Sequence, residues 1–220
     1  MLRSINFLCL LLAVAWLARA PDWEPAIVAL GFLGTLGLQE YFLGLRFLDR
    51  AQVDARLGAM EARLAAAKAS VYVSGNDCKF LVESCSASVD RLLARGVRLH
   101  VLLLSPTDAL SEMLSLIDPR FNSASEFQTS MHEVLKRLKD WKQRYPSQFE
   151  YRLLPFLPAL GFFIVDPESF RGTLKIEVYT AKHWKPIESR PHLLLSRLNS
   201  KWREYFLTQW HNYWAAATEA

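Results

Sequence analysis

Cysteine is scarce in this chain: three among 220 residues, Cys9, Cys78 and Cys85. None has a partner at Cys-x-x-Cys spacing, so no zinc or redox motif is formed, and the thiols read as reduced groups in a reducing compartment. Charge of one sign is lacking too. The formal net charge is +4, too mild to argue for a nucleic-acid partner, and none is expected. Glycine is sparse, nine residues, and never arranged as a phosphate-cradling loop. Internal repeats and low-complexity linkers are absent. No cofactor and no metal ligand set is expected.

What is present in excess is hydrophobicity at the N-terminus. "INFLCLLLAVAWLA" (Ile5–Ala18) and "AIVALGFLGTLGLQEYFLGL" (Ala26–Leu45) are apolar runs. Each is near the lower limit for crossing a bilayer, about 20 residues. A signal peptide is the rival reading of the first run, with Arg3 as its basic start and Ala18–Ala20 as a cleavage site. The second run would still need a membrane, so a two-span hairpin accounts for both. Arg3, Arg46, Arg50 and Arg56 flank the spans, whereas Arg19 shares the loop with Asp22 and Glu24. The positive-inside rule then puts both termini in the cytoplasm, with the hairpin in the inner (plasma) membrane. Gly31, Gly34 and Gly37 place small residues along one side of the second span, which favours self-association into a homo-oligomer. The expected division is a hairpin over residues 1–50 and a cytoplasmic domain over 51–220.

In that domain Val53, Leu57, Met60, Leu64 and Ala67 form one apolar helical stripe. "ASVYVSGND" (Ala69–Asp77) reads as a strand, Lys79–Gly96 as a helix and Val97–Pro106 as a buried strand, a unit that implies parallel neighbours. Ser105 can cap the next helix, with Pro106 at its first position, and Asp118-Pro119 stops it. "SASE" (Ser123–Glu126) is a capping box for a helix to about Tyr145. Strands follow at Phe149–Phe156, Gly161–Asp166 and Thr173–Ala181, the last two as a hairpin turning at Gly172. In the final strand Leu174, Ile176 and Val178 alternate with Lys175, Glu177 and Tyr179, giving one apolar and one polar face. A helix over Ser196–Ala217 carries Trp202, Phe206, Trp210 and Tyr213 as a core stripe.

This order resembles one repeat of the phospholipase D-like superfamily, over roughly residues 51–217. "LLARGVRLHVLLLSP" (Leu92–Pro106) is similar to the segment after that family's first helix, and "FIVDPESFRGTLKI" (Phe163–Ile176) to the region of its signature. The resemblance implies an α/β fold, a mixed sheet flanked by helices, here preceded by the two-helix transmembrane hairpin. The family signature is His-x-Lys-x-x-x-x-Asp, followed by Gly-Ser-x-Asn. Its histidine is the nucleophile on phosphorus, and its lysine and asparagine hold the phosphate. Asp166 can fill the last position of the first motif. The His position then falls on Ala159 and the Lys position on Gly161, while Lys175 stands where Asn is expected. No other histidine falls in register: His183 and His192 lie in a later loop, His132 on a helix and His100 mid-strand. Catalytic residues are therefore expected to be absent, and Asp166 keeps the bland task of an Asp-Pro turn.

The resulting reading is a membrane-anchored sensor or effector, its partners the lipid bilayer and a phosphate-bearing small molecule. Rival readings are a divergent phosphodiesterase or phospholipase, with "AKHWK" (Ala181–Lys185) as its candidate, and a scaffold for a protein partner. A ligand cleft is expected at the C-terminal ends of the parallel strands. Ser74, Gly75, Asn76, Asp77 and Ser105 would turn the chain there at helix starts offering N–H groups to an anion. Lys79, Lys175, Lys182 and Arg190 would supply positive charge around the rim.

Overall fold

The computed structural model describes residues 47–179, 190–195 and 200–219. The chain divides into two units, Met1–Gly44 and Leu45–Ala220, and the described residues all belong to the second. The expected hairpin, its Gly31, Gly34 and Gly37, and the rim residue Lys182 lie outside the described residues. Among the described residues no helix is long and apolar enough to cross a membrane.

The elements run β1 (Phe47–Leu48), α1 (Arg50–Leu57), α2 (Met60–Ala66), β2 (Ser70–Gly75), α3 (Lys79–Glu83), α4 (Ser86–Ala94), β3 (Arg98–Leu104), α5 (Asp108–Ile117) and α6 (Ala124–Arg144). They continue with β4 (Phe149–Leu154), β5 (Leu160–Val165), β6 (Thr173–Val178), β7 (His192–Leu195), α7 (Ser200–Ala216) and β8 (Thr218–Glu219). One mixed sheet has the order β1-β7-β6-β5-β2-β3-β4-β8. β2, β3 and β4 are parallel, as the strand–helix–strand pattern requires. β5 and β6 form the expected antiparallel hairpin, and β5 pairs antiparallel with β2.

Two cores sandwich the sheet. Odd-numbered residues of β2, β3, β4 and β5, among them Val71, Val101, Tyr151 and Phe163, pack under the helices between β1 and β4 through Leu64, Leu92, Phe127 and Trp141. The opposite face presents Leu102, Phe162, Ile164, Leu174 and Ile176 to Phe206 and Trp210 of α7. β3 is covered on both faces, which is why Val101–Leu104 reads as an unbroken apolar run.

Several sequence-based expectations are corrected. The single stripe from Val53 to Ala67 breaks at Gly58, whose φ of 76° ends α1. The helix expected over Lys79–Gly96 is two pieces, parted at Ser84 and Cys85. Ser105 caps nothing: its amide donates to the Leu154 carbonyl at 2.9 Å, and Thr107 stands at the N-cap of α5. Ser123 accepts from the Glu126 amide at 3.3 Å, but the Glu126 carboxylate turns to the Asn122 amide, so only half the capping box forms. Trp202 leaves the aromatic stripe and is exposed. His192 sits on a strand, not in a loop, because Glu177 of β6 pairs with it across the sheet.

The largest correction concerns Asp166. It is buried, has a φ of 45°, and heads the expected turn, its carbonyl accepting the Ser169 amide at 2.9 Å, but its side chain reaches to the neighbouring strand. Its carboxylate accepts the amides of Lys68, Ala69 and Ser70 at 2.9, 2.7 and 3.0 Å. Those amides precede or begin β2, so one side chain ties the end of β5 to the start of β2. Gly172 must lack a side chain, because a Cβ there would stand 2.8 Å from the Asp166 carbonyl carbon. Replacing Asp166 with Ala leaves three inward amides without an acceptor and is expected to cost about 3 kcal/mol of stability. Asn, which keeps one acceptor and tolerates positive φ, should cost about half as much. Urea unfolding of the two variants checks both values.

Candidate functional site

β2 ends in "SGND", and the pocket opens there. Ser74, Gly75, Asn76 and Asp77 line one wall, Gly161 and Phe163 of β5 the floor, and Lys175, Glu177, Tyr179, Arg190 and His192 the opposite wall. Arg63 and Asp54, from the helices before β2, close the side. The cavity holds about 390 Å³, within the range of small-molecule sites.

Of the sequence-predicted residues, Ser74, Gly75, Asn76, Asp77, Lys175 and Arg190 are brought together here. Lys79 is not: it points outward, pairing with Glu83 at 3.2 Å. Ser105 lies on the next strand end, away from this pocket. Helix-start amides are no anion site either, because α3 has only five residues and its N-cap, Cys78, is left-handed at φ 47°. Positive charge comes from side chains instead.

A chain of alternating charges forms the back of the pocket. Arg120 donates to Asp77 at 3.0 Å and to Asp118 at 2.8 Å. Arg190 lies 3.5 Å from Asp118 and 3.2 Å from Glu177. His192 Nε2 stands 3.8 Å from Glu177 Oε2. Burial pushes the Glu177 carboxyl up, but the neighbouring His192 ring and the charges of Lys175 and Arg190 outweigh it and hold it at about 2. Burial acts against ionised Asp118 as well, and Arg120 and Arg190 overcome it, lowering its pKa. Removing one member would strand a buried charge, so the pairs act as a unit. To one side, Arg63 binds Asp54 and the Gly58 carbonyl.

Three polar groups stand outside this pairing. Lys175 makes no hydrogen bond or ion pair with a described residue, and burial lowers its pKa against the pull of Glu177. Asn76 Oδ1 and His192 Nδ1 are buried and have no hydrogen-bond partner among the described residues. Both residues line the pocket, 6% and 2% exposed. A ligand that met all three would bring an anionic group for Lys175 and a donor for Asn76.

A side chain at Gly161 is blocked. A Cβ there would overlap the Tyr179 phenol, standing 2.9 Å from its Cζ. Burial raises the Tyr179 pKa, so the phenol stays neutral, and Arg190 lies over its ring at 5.3 Å. Cys78 and Cys85 are free and buried; burial raises the Cys78 thiol well above its ordinary value and Cys85 to about 11. No group of three metal-ligating side chains occurs among the described residues.

Sequence reasoning missed Arg63, Asp118, Arg120, Glu177, Tyr179 and His192. The alternation in β6 did show that Lys175, Glu177 and Tyr179 share a face. What it lacked was the covering helices, which turn that polar face into a pocket wall.

No family model matches the chain, and no curated protein matches it. It is similar in structure to TrmBL2, an archaeal chromatin protein, with 13% identity, 90% of this chain and 67% of that one covered, and a TM-score of 0.48. It is also similar to Nuc of Salmonella typhimurium, a phospholipase D family member, at 12% identity, coverage of 80% and 95%, and a TM-score of 0.43. NucT of Helicobacter pylori gives 12% identity, 80% and 98% coverage, and a TM-score of 0.46.

Two outcomes follow from this geometry. Gly161→Ala should destabilise the domain by about 1–3 kcal/mol through overpacking. Adding Tyr179→Ala should recover part of that loss, a coupling a double-mutant cycle reads directly. The second concerns acid. Because the Glu177 pKa is depressed from 4.5 to about 2, its stabilisation is complete above pH 4.5 and is lost as pH falls toward 2. The unfolding free energy from urea titrations should fall across that window by the order of 2 kcal/mol, with a shallower slope in Glu177→Gln.

Proposed function

We propose that this domain is a phospholipase D-like module whose catalytic groups have been replaced by a receptor pocket, and that it senses a small phosphate-bearing molecule, a nucleotide first of all. The observation that carries the reading is the set of polar groups left over inside the pocket: among the described residues Lys175 has no ion-pair partner, and Asn76 Oδ1 and His192 Nδ1 have no hydrogen-bond partner. A nucleotide supplies both complements, phosphate oxygens for the ammonium and base N–H groups for the amide oxygen. Ala159 and Gly161 stand where the family places its nucleophile and phosphate lysine, and Tyr179 fills the space a lysine stem would need.

In this proposal the apolar runs before Phe47 anchor the domain to the inner membrane as two spans, with both termini cytoplasmic and Gly31, Gly34 and Gly37 packing copies together. Ligand binding then signals to the membrane. A second reading, phosphodiester hydrolysis, rests on His192 beside Glu177.

Thermal unfolding of the full chain in detergent, against cyclic and linear nucleotides, tests the proposal. A stabilising nucleotide should lose about tenfold in affinity or more, roughly 1.4 kcal/mol, in Lys175→Ala and in Asn76→Ala. Lys79→Ala should bind normally. Affinity should also fall as pH rises through the lowered Lys175 pKa, because the neutral amine no longer attracts phosphate. A ligand indifferent to both pocket variants overturns the site. Phosphodiester turnover abolished by His192→Ala overturns the receptor reading in favour of hydrolysis.

A further inference from the structure

The end of the sheet opposite the pocket carries a different surface. Six large hydrophobic side chains are prominently exposed among the described residues, and three of them gather at this end. Phe170, 74% exposed, tips the turn between β5 and β6. Trp202 and Tyr205 project from the first turns of α7, their ring centroids 6.2 Å apart. Buried Arg203 holds that helix end onto the same turn, donating to the carbonyls of Gly172 and Pro167. The aromatics are therefore mounted on a braced platform, not on separate loops.

Basic residues surround them. Lys68, just before β2, and Arg98, the first residue of β3, are exposed at this end, as are Arg171 of the turn and Lys201 of α7. The exposed acidic residues on the same turn and helix start are Glu168 and Glu204. On the turn and helix start the two signs balance, Arg171 and Lys201 against Glu168 and Glu204; Lys68 and Arg98 at the neighbouring strand starts add the positive excess. β1 runs antiparallel to β7, so its N-terminal end points toward this end of the sheet, not toward the pocket. The chain that precedes it contains the two apolar runs of the sequence.

We propose that this end of the domain rests on the headgroup layer of an anionic bilayer. Trp and Tyr favour that layer because each has an apolar body and a polar tip, and Phe170 can enter the acyl boundary. Lys68, Arg98, Arg171 and Lys201 answer the negative surface potential. The pocket, at the other end of strands about 20 Å long, stays open to the aqueous side. The inference rests on the reading of the first 46 residues as a membrane anchor and adds an orientation to it.

The test uses the full chain, with Cys9→Ser, reconstituted in vesicles of phosphatidylcholine and phosphatidylglycerol. Cys78 and Cys85 are buried, with raised thiol pKa values, and stay unlabelled. A nitroxide is placed at Ser169→Cys, in the aromatic turn, or at exposed Leu116→Cys on α5 as the aqueous reference. Flotation is scored first, then collision with oxygen and with a water-soluble nickel chelate. The expected result is flotation, with the label at 169 several-fold less accessible to nickel than the label at 116 yet open to oxygen. Adding Trp202→Asp and Tyr205→Asp should restore nickel access at 169 without abolishing flotation. Flotation with equal nickel access at both positions overturns this inference and leaves the anchor standing. A label shielded from both probes shows a protein partner or second copy there, and also overturns it. A chain that does not float overturns the anchor reading and the inference with it.

Discussion

The fold hangs on the Asp166 carboxylate. Three amides that begin β2 point at it, and it is held by a backbone turn with positive φ and no room for a side chain at Gly172. β5 runs antiparallel to β2, so this anchor at one end fixes the register to the other. It places Phe163 opposite Val73 and Phe162 opposite Ser74, whose hydroxyl accepts the Phe162 amide at 2.9 Å. Gly161 then lies opposite Glu177 at the pocket. A one-residue slip would turn every β5 side chain to the wrong core. The proposed ligand site and the proposed lipid-facing end thus share one determinant at opposite ends of the same strand.

Around the pocket, buried ionised groups are tolerated because they alternate in sign. Asp77, Arg120, Asp118, Arg190 and Glu177 form one continuous series, with the His192 ring beside its end. Desolvation opposes each charged form, and only the neighbours' charges and hydrogen bonds hold Glu177 and Asp118 ionised. Such a series is a weak source of net stability but a strong source of geometric definition. It leaves Lys175 available, since both Arg120 and Arg190 already have carboxylates. Among the described residues Lys175 has no carboxylate within ion-pair distance, and its ammonium is what the anionic group of the proposed ligand would meet.

Much of the scaffold was legible. The parallel β2–β3 pair, the β5–β6 hairpin, the long helix from Ser123 and the apolar positions of β6 all follow from spacing and turn residues. The wall formed by Ser74–Asp77 with Lys175 and Arg190 was legible in part, because strand ends and a polar strand face mark where a cleft can open. Arg120 was not. It follows a helix stop and reads as an ordinary surface residue until Asp77, 43 positions earlier, is folded against it. His192 was misplaced for a related reason: four residues are too short a run to signal a strand without β6 beside it.

Local chemistry is what the sequence determined by itself: the alternation of β6, the break at Gly75, and the loss of His and Lys at Ala159 and Gly161. Of these, the alternation and the break depend on residue type and near neighbours and are written in the chain; at Ala159 and Gly161 the chain itself shows only small residues. Tertiary structure alone decided which polar groups are buried together, that the Asp166 side chain clamps β2, that Tyr179 occupies the space above Gly161, and that Trp202 faces outward while Trp210 lies in the core. Those outcomes depend on contacts between residues tens of positions apart. Local spacing carries no record of such distances, because the same periodic pattern serves a buried face, a solvated face or the wall of a pocket.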